Sequence, residues 1–210
     1  LGIKDTVHLI SDKSLLLKAE TQSGHIIEDE GDIVTWDNPD DKIIRAILMD
    51  GESEYIPVVG EDSAHTDRTI LQIVDEADII IFSSGTQWSS LIPTYMHKGF
   101  REMIANASAN KYLIMNNEED HDTYGVSAEE MCDILTSYLD MDQITVVLNK
   151  EASVGMQALS ERYHSICGMI GSTDSSKHDP VKLVGLIMSD YYREALSCTH
   201  QFFDLDGTLW

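Results

Sequence analysis

The stretch Ala77-Asp78-Ile79-Ile80-Ile81-Phe82-Ser83-Ser84-Gly85-Thr86-Gln87-Trp88-Ser89-Ser90 decides the fold. Asp78 to Phe82 contains an unbroken apolar run with no polar alternation, the pattern of a strand covered on both faces in a parallel sheet. The eight residues that follow hold one glycine and five hydroxyl side chains, just before a predicted helix start. Small residues let backbone N–H groups face outward, hydroxyls add donors, and a helix N-terminus favours an anion. The loop therefore fits a phosphate or nucleotide cradle. An ordinary strand-to-helix turn capped by Ser fits the same residues, because no Walker lysine or GxGxxG accompanies them.

Downstream of this loop, strands and helices alternate. Lys98 to Ser108 is amphipathic, Lys111 to Asn116 is a second buried strand, and Ile144 to Asn149 a third. Ser127 with Glu130 three residues later forms a capping box for a helix reaching Leu139. A helical stretch is predicted around Gln157 to His164, and a long last helix from about Pro180 to Ala195. Upstream, Val7 to Ile10, Ser14 to Thr21, His25 to Glu30 and Ile43 to Met49 read as strands with tight turns between them. The predicted fold is α/β: a mostly parallel, Rossmann-like sheet with helices on both faces, plus an antiparallel hairpin region near the N-terminus. Ligands of such sheets sit in a crevice at the carboxyl ends of the strands.

Charge narrows the function. Among 210 residues, 37 acidic side chains face 14 basic ones, a formal charge of −23. Phosphate-backbone binding needs clustered Lys and Arg, and an anionic membrane surface would repel the chain, so neither a nucleic acid nor a membrane is an expected partner. An anionic ligand would have to be held by local N–H groups, a few cations or a metal. Cys132, Cys167 and Cys198 are odd in number and widely spaced, which fits a reducing, cytoplasmic setting better than a disulfide framework. His164, Cys167 and His178 lack a zinc spacing. The run Asn117-Glu118-Glu119-Asp120-His121-Asp122 offers hard oxygen donors suited to Mg²⁺ or Ca²⁺, but reads first as a solvated acidic loop. Met103, Met115, Met131 and Met188 read as core filler. Trp88 suits either stacking on a base or packing over the sheet edge.

The segment ADIIIFSSGTQWSSLIPTYM resembles the "AD-(apolar strand)-GPGSLYTSILPN" segment of the family that includes the CofD 2-phospho-lactate transferases and the YvcK regulators. The opening LGIKDTVHLISDKSLLLKAETQSGHIIEDEGDI resembles that family's hairpins, KYLIMN its "KVYICN" strand, and KHDPVKLVGLIM its "RHDTHKVASLL" helix. The resemblance covers approximately residues 1 to 195. It implies ligand contacts at Gly85, Thr86, Ser89, Ser90, Asn116 and His178, with Pro93 closing the loop and Asp179 beside His178. The sequence departs from the family at Ser83-Ser84, where it has Gly-Pro, and over 117–122, where it has "MTQPGET". The family's "GGGTG" loop and "DDGG" stretch, which hold ligand and metal, do not occur here. The resemblance implies binding of a phosphorylated, nucleotide-type or nucleotide-sugar ligand as part of a Mg²⁺-assisted phospho-group transferase. A UDP-sugar-binding regulator without turnover is the alternative, and a homo-oligomer is left open.

The last residues, FFDLDGTLW, closely resemble the first motif of the haloacid-dehalogenase-like phosphatases. By that resemblance Asp204 is the nucleophile and a Mg²⁺ ligand, and Asp206 the general acid/base and a second metal-side carboxylate. The remaining motifs of that family are absent, so the motif is incomplete, and a third reading makes residues 1–196 the partner module of such a phosphatase. The expected organisation is the carboxyl-terminal part of a CofD/YvcK-like domain over 1–196, then a linker and first phosphatase strand over 197–210. Leu1 in place of Met, and the abrupt end, suggest a segment of something longer.

Overall fold

A computed structural model describes residues 8–11, 13–60, 69–174 and 176–197, with side chains to Arg193. Asp204 and Asp206 lie outside the described residues. Two four-stranded sheets organise the chain. The first is antiparallel, in the order β2-β1-β3-β4, from β1 (Leu16–Thr21), β2 (Ile26–Ile27), β3 (Ile43–Asp50) and β4 (Ser53–Glu54). The second is parallel and runs in chain order from β5 (Ile79–Phe82) through β6 (Asn110–Ile114) and β7 (Ile144–Asn149) to β8 (Ser165–Gly168). Every pair in it is parallel, from Ile79 opposite Asn110 to Asn149 opposite Gly168.

The apolar runs explain the layers. Leu113 on β6 and Val146 and Leu148 on β7 face the main core, with Phe82 and residues of the antiparallel sheet such as Ala19, Ile43 and Ala46. The alternate residues Tyr112, Ile114 and Val147 face the other way, against Ile187 on the last helix. Burial on both faces is what unbroken apolar strands require, so the parallel-sheet reading holds. The helices are α1 (Glu30–Val34), α2 (Ile70–Asp75), α3 (Ile92–Tyr95), α4 (Phe100–Asn106), α5 (Ala128–Leu135) and α6 (Pro180–Ser197). At α5 both halves of the predicted capping box form between Ser127 and Glu130.

Three local expectations give way to other hydrogen bonds. Among residues 8–11 no strand forms; instead Gly60 N–H donates to the Ile10 carbonyl. The predicted strand over His25 to Glu30 shrinks to two residues, because the Asp29 carboxylate caps the Gly31 N–H and starts α1. The segment predicted helical from Gln157 to His164 has no helix; a 3₁₀ turn, Val154–Met156, precedes it. There Ser160 donates through its N–H and hydroxyl to Glu129, and the Tyr163 hydroxyl donates to Asp133. These bonds to α5 tie the segment down without helical turns and lead it into β8, a strand that four residues of mixed burial did not announce.

Ser127→Ala removes the acceptor for the Glu130 N–H and one of the donors to the Glu130 carboxylate, leaving the backbone N–H of residue 127 and Lys42. The loss expected is about 1 kcal/mol, read as a lower denaturation midpoint at unchanged slope in urea.

Candidate functional site

At the carboxyl ends of β5 and β6 the chain opens into a cleft of about 350 Å³, lined by Ser84, Gly85 and Thr86 on one side and residues 116–120 on another, with Ser176 and His178 closing it. Parallel strands bring these three segments together. β5 leads into the small-residue loop, β6 is followed after Met115 by the asparagine pair Asn116-Asn117, and His178 precedes α6, whose first N–H groups are capped by Asp179 (Val181 N–H at 2.9 Å, Lys182 N–H at 3.1 Å). Of the six residues expected to touch ligand, Gly85, Thr86, Asn116 and His178 line this cleft.

Asn116 fixes the loop. Its Oδ1 accepts from the Gly85 N–H at 3.0 Å, and its Nδ2 donates to the Gly85 carbonyl at 3.1 Å. The same Nδ2 also donates to Asp120, whose carboxyl burial holds above the usual range. A single side chain thus ties the glycine turn to the end of the neighbouring strand and orients one cleft carboxylate.

The rest of the loop is committed to the protein interior. After Thr86 the backbone takes a single π-type turn, Gln87–Leu91, that runs directly into α3. Trp88 is buried in the main core, which settles its two readings in favour of packing. Ser89 is buried too, and the Ser90 and Thr86 hydroxyls bond each other at 2.7 Å. The Trp88 N–H donates to Asp122 Oδ2 at 2.8 Å and the Ser89 N–H reaches the same oxygen at 3.4 Å. The N–H groups that a helix start would offer an anion here are therefore met by a carboxylate of the chain itself. Ser89 and Ser90 do not line the cleft.

The acidic run divides by role. Asp122 turns inward and is 3% exposed, Asp120 meets Asn116, and the Glu119 carboxylate accepts weakly from the Gly125 N–H at 3.4 Å. Among the described residues no three His, Cys, Asp or Glu side chains gather into a group able to hold a metal. The residues expected to place Mg²⁺, Asp204 and Asp206, fall outside the described chain. Of the two described cysteines, burial pushes the Cys132 thiol up to about 12 and also raises that of Cys167, which disfavours the thiolate at both.

The cleft also contains Asn117, Ser84 and Ser176, which the sequence reading did not single out as ligand contacts. Asn117 and Asn149 stand at the ends of adjacent strands, and Asn149 Nδ2 donates to Asn117 Oδ1 at 3.0 Å. An asparagine ending each of two buried strands was the signal available in the sequence, because polar groups at that depth need a purpose or a partner.

The sequence profile of the family described as 2-phospho-L-lactate transferase CofD matches residues 1–183. The chain belongs to the CofD family. Among curated proteins, CofD-family relatives include a gluconeogenesis-factor homologue from Aquifex aeolicus, 23% identical over 206 residues, covering 86% of this chain and 58% of the relative. A second, from Clostridium acetobutylicum, is 21% identical over 194 residues, covering 92% of this chain and 40% of the relative. A crystal structure of a UPF0052-family protein from Bacillus halodurans shares the fold with a TM-score of 0.66 at 19% identity, over 85% of this chain and 60% of that one. The chain thus spans about half the length of these relatives. The family profile ends at residue 183, before the phosphatase-like segment at 202–210.

Asp122 yields a pH prediction. Burial pushes its carboxyl up to about 6, against the lowering effect of the N–H groups of Trp88, Ser89 and Gln87, with nearby Asp120 adding to the rise. A carboxyl whose pKa is higher in the fold than in the unfolded chain stabilises fully below the unfolded value near 4, and that contribution is lost as pH rises through 6. Asp122→Asn keeps an acceptor for the Trp88 N–H and removes the buried charge. Compared with the unsubstituted chain in urea titrations, it should gain by about 1 kcal/mol at pH 4.5 and by up to about 3 kcal/mol at pH 7.5. A variant less stable at both pH values would contradict the assignment.

Proposed function

We propose that this chain supplies the ligand-facing edge of a CofD-type phospho-group transferase acting in the cytoplasm, and that the cleft at the ends of β5 and β6 binds a phosphorylated nucleotide-type or nucleotide-sugar ligand. One observation carries the reading. Gly85, Thr86, Asn116 and His178 come from three separate segments and line one cleft, at the place where open parallel sheets take their ligands. The donor set suits such a ligand: amide, hydroxyl and imidazole groups provide directional hydrogen bonds, while the turn around Gly85 leaves room for close approach of the backbone.

Asn116 is the residue on which this depends. Without it the Gly85 N–H and carbonyl both lose their partner, and the loop that forms one cleft wall is released. Titrating the 210-residue chain calorimetrically with a nucleoside diphosphate and a UDP-sugar should give saturable binding. Asn116→Ala should weaken it at least about 10-fold, matching the loss of one to two hydrogen bonds at about 1 kcal/mol or more each. Absence of saturable binding by any of these ligands would sink the proposal. The curated relatives are named for gluconeogenesis, not for transfer, so the same sample should be assayed for donor consumption. Turnover supports the transferase, and saturable binding without turnover supports a regulatory factor.

A further inference from the structure

β5 is the first strand of the parallel sheet, and among the described residues no strand pairs with its outer edge. Its apolar run is only partly covered: Phe82 is buried, yet Ile81 beside it is 49% exposed. An unpaired apolar strand edge is a template for one more strand.

The path of α6 says where such a strand would come from. The helix starts beyond β8, where Lys182 Nζ donates to the Gly171 carbonyl at 3.0 Å and a Cβ on Gly168 would meet Leu186 at 3.0 Å. One turn further on, Asp190 accepts from the Tyr112 hydroxyl on β6 at 3.2 Å, and the apolar cluster beneath the helix reaches Ile79 on β5. α6 therefore crosses back over the sheet from β8 toward β5. It also lies on the face opposite α4 and α5, whose Met103, Ile104, Met131 and Leu135 belong to the main core. Reversing both the direction and the face leaves the hand of a crossover unchanged. A strand placed after α6 on the open edge of β5 thus has the hand of the β5-α4-β6 and β6-α5-β7 connections. One added outside β8 would have the opposite hand, which parallel sheets almost never adopt.

The residues after α6 fit that position. Residues 198–201 give a four-residue connection from Ser197, within the about 2–6 residues usual between a helix and the next strand. Phe202, Phe203 and Leu205 then supply strand-forming apolar side chains, and Asp204 and Asp206 are charges of the kind that protect an outermost strand. We propose that residues 202–206 add to the outer edge of β5 as a fifth, parallel strand, with α6 as the crossover helix. The occupant of the open edge is the tail of the same chain, and its aromatic residues cover the β-branched side chains of β5 as cross-strand neighbours. Parallel addition starts the new strand at the Ile79 end and finishes it at the Phe82 end. Asp204 and Asp206 then stand at the same edge of the sheet as the Gly85 loop.

The test reads amide hydrogen exchange and interstrand nuclear Overhauser cross-peaks in the unsubstituted 210-residue chain, repeated after about tenfold dilution. Amides of residues 202–206 should exchange at least about 100-fold more slowly than in an unstructured chain. They should show cross-peaks to residues 79–82, unchanged on dilution. Phe203→Pro, which removes a ladder donor and is not tolerated inside a paired strand, should return the tail to unstructured-chain rates. It should also speed exchange at residues 79–82 and leave β7 as it was. A tail exchanging at unstructured-chain rates would overturn the inference. Protection of the tail with cross-peaks to β8 or to a helix face in place of β5 would do the same. Protection of residues 79–82 that fades on dilution assigns the edge to a second copy and also overturns it. Should Phe203→Pro fail to fold, the cross-peaks of the unsubstituted chain decide alone.

Discussion

Asn116 donates to and accepts from the same glycine, and the cleft exists because of that reciprocal pair. Loops after parallel strands are free to wander unless something at the sheet edge holds them. Here the holding group is the residue that leaves β6, one strand over, so the position of the loop is set by strand register: Phe82 lies opposite Leu113, and Asn116 follows three residues later. The glycine matters at this point because the bond is to its own backbone, on both its N–H and its carbonyl. The same amide then turns to Asp120, so the rim carboxylate is oriented by the group that orients the loop.

Around that pair the structure divides polar groups into those spent on the fold and those left for a ligand. Asp122 belongs to the first class, a buried carboxylate meeting the N–H groups of the π-type turn at some electrostatic cost. A single widened helical turn after a strand is a common mark of functional sites; here it turns Trp88 into the core while Gly85 and Thr86 stay at the cleft. Asn117 and His178 belong to the second class. The asparagine relay from the Ile170 and Glu151 N–H groups through Asn149 to Asn117 ends on an amide group facing no protein acceptor.

Much of this was legible in the sequence where physical pressure was strongest. Unbroken apolar runs at Ile79–Phe82 and Ile144–Asn149 announced the parallel sheet; β7 is buried on both faces, whereas β5 is an edge strand that leaves Ile81 exposed. Ser127 and Glu130 announced α5 through a local two-bond motif that does not need tertiary help. The cleft was legible in part: the glycine and hydroxyls marked one wall, and the family resemblance pointed to Asn116 and His178, which line it with Gly85 and Thr86.

What escaped the sequence depends on contacts between distant residues. Nothing local tells that Asp122 turns inward while Asp120 and Glu119 face the rim, since the run from Asn117 to Asp122 reads as one acidic loop. The irregular path from Gln157 to His164 follows from bonds to Glu129 and Asp133 on α5, some 30 residues away in the chain. The role of Asn117 emerges only from the relay across two other strands. The claim on which the account turns, that ligand enters between the Gly85 loop and His178, is tested most directly by mapping a nucleoside diphosphate titration in ¹H–¹⁵N spectra. The account predicts concerted shifts in the Gly85 and Thr86 amides, the Asn116 and Asn117 side-chain amides and the His178 ring. Shifts confined instead to the separate groove around Arg45, Lys98 and Arg101 would contradict it.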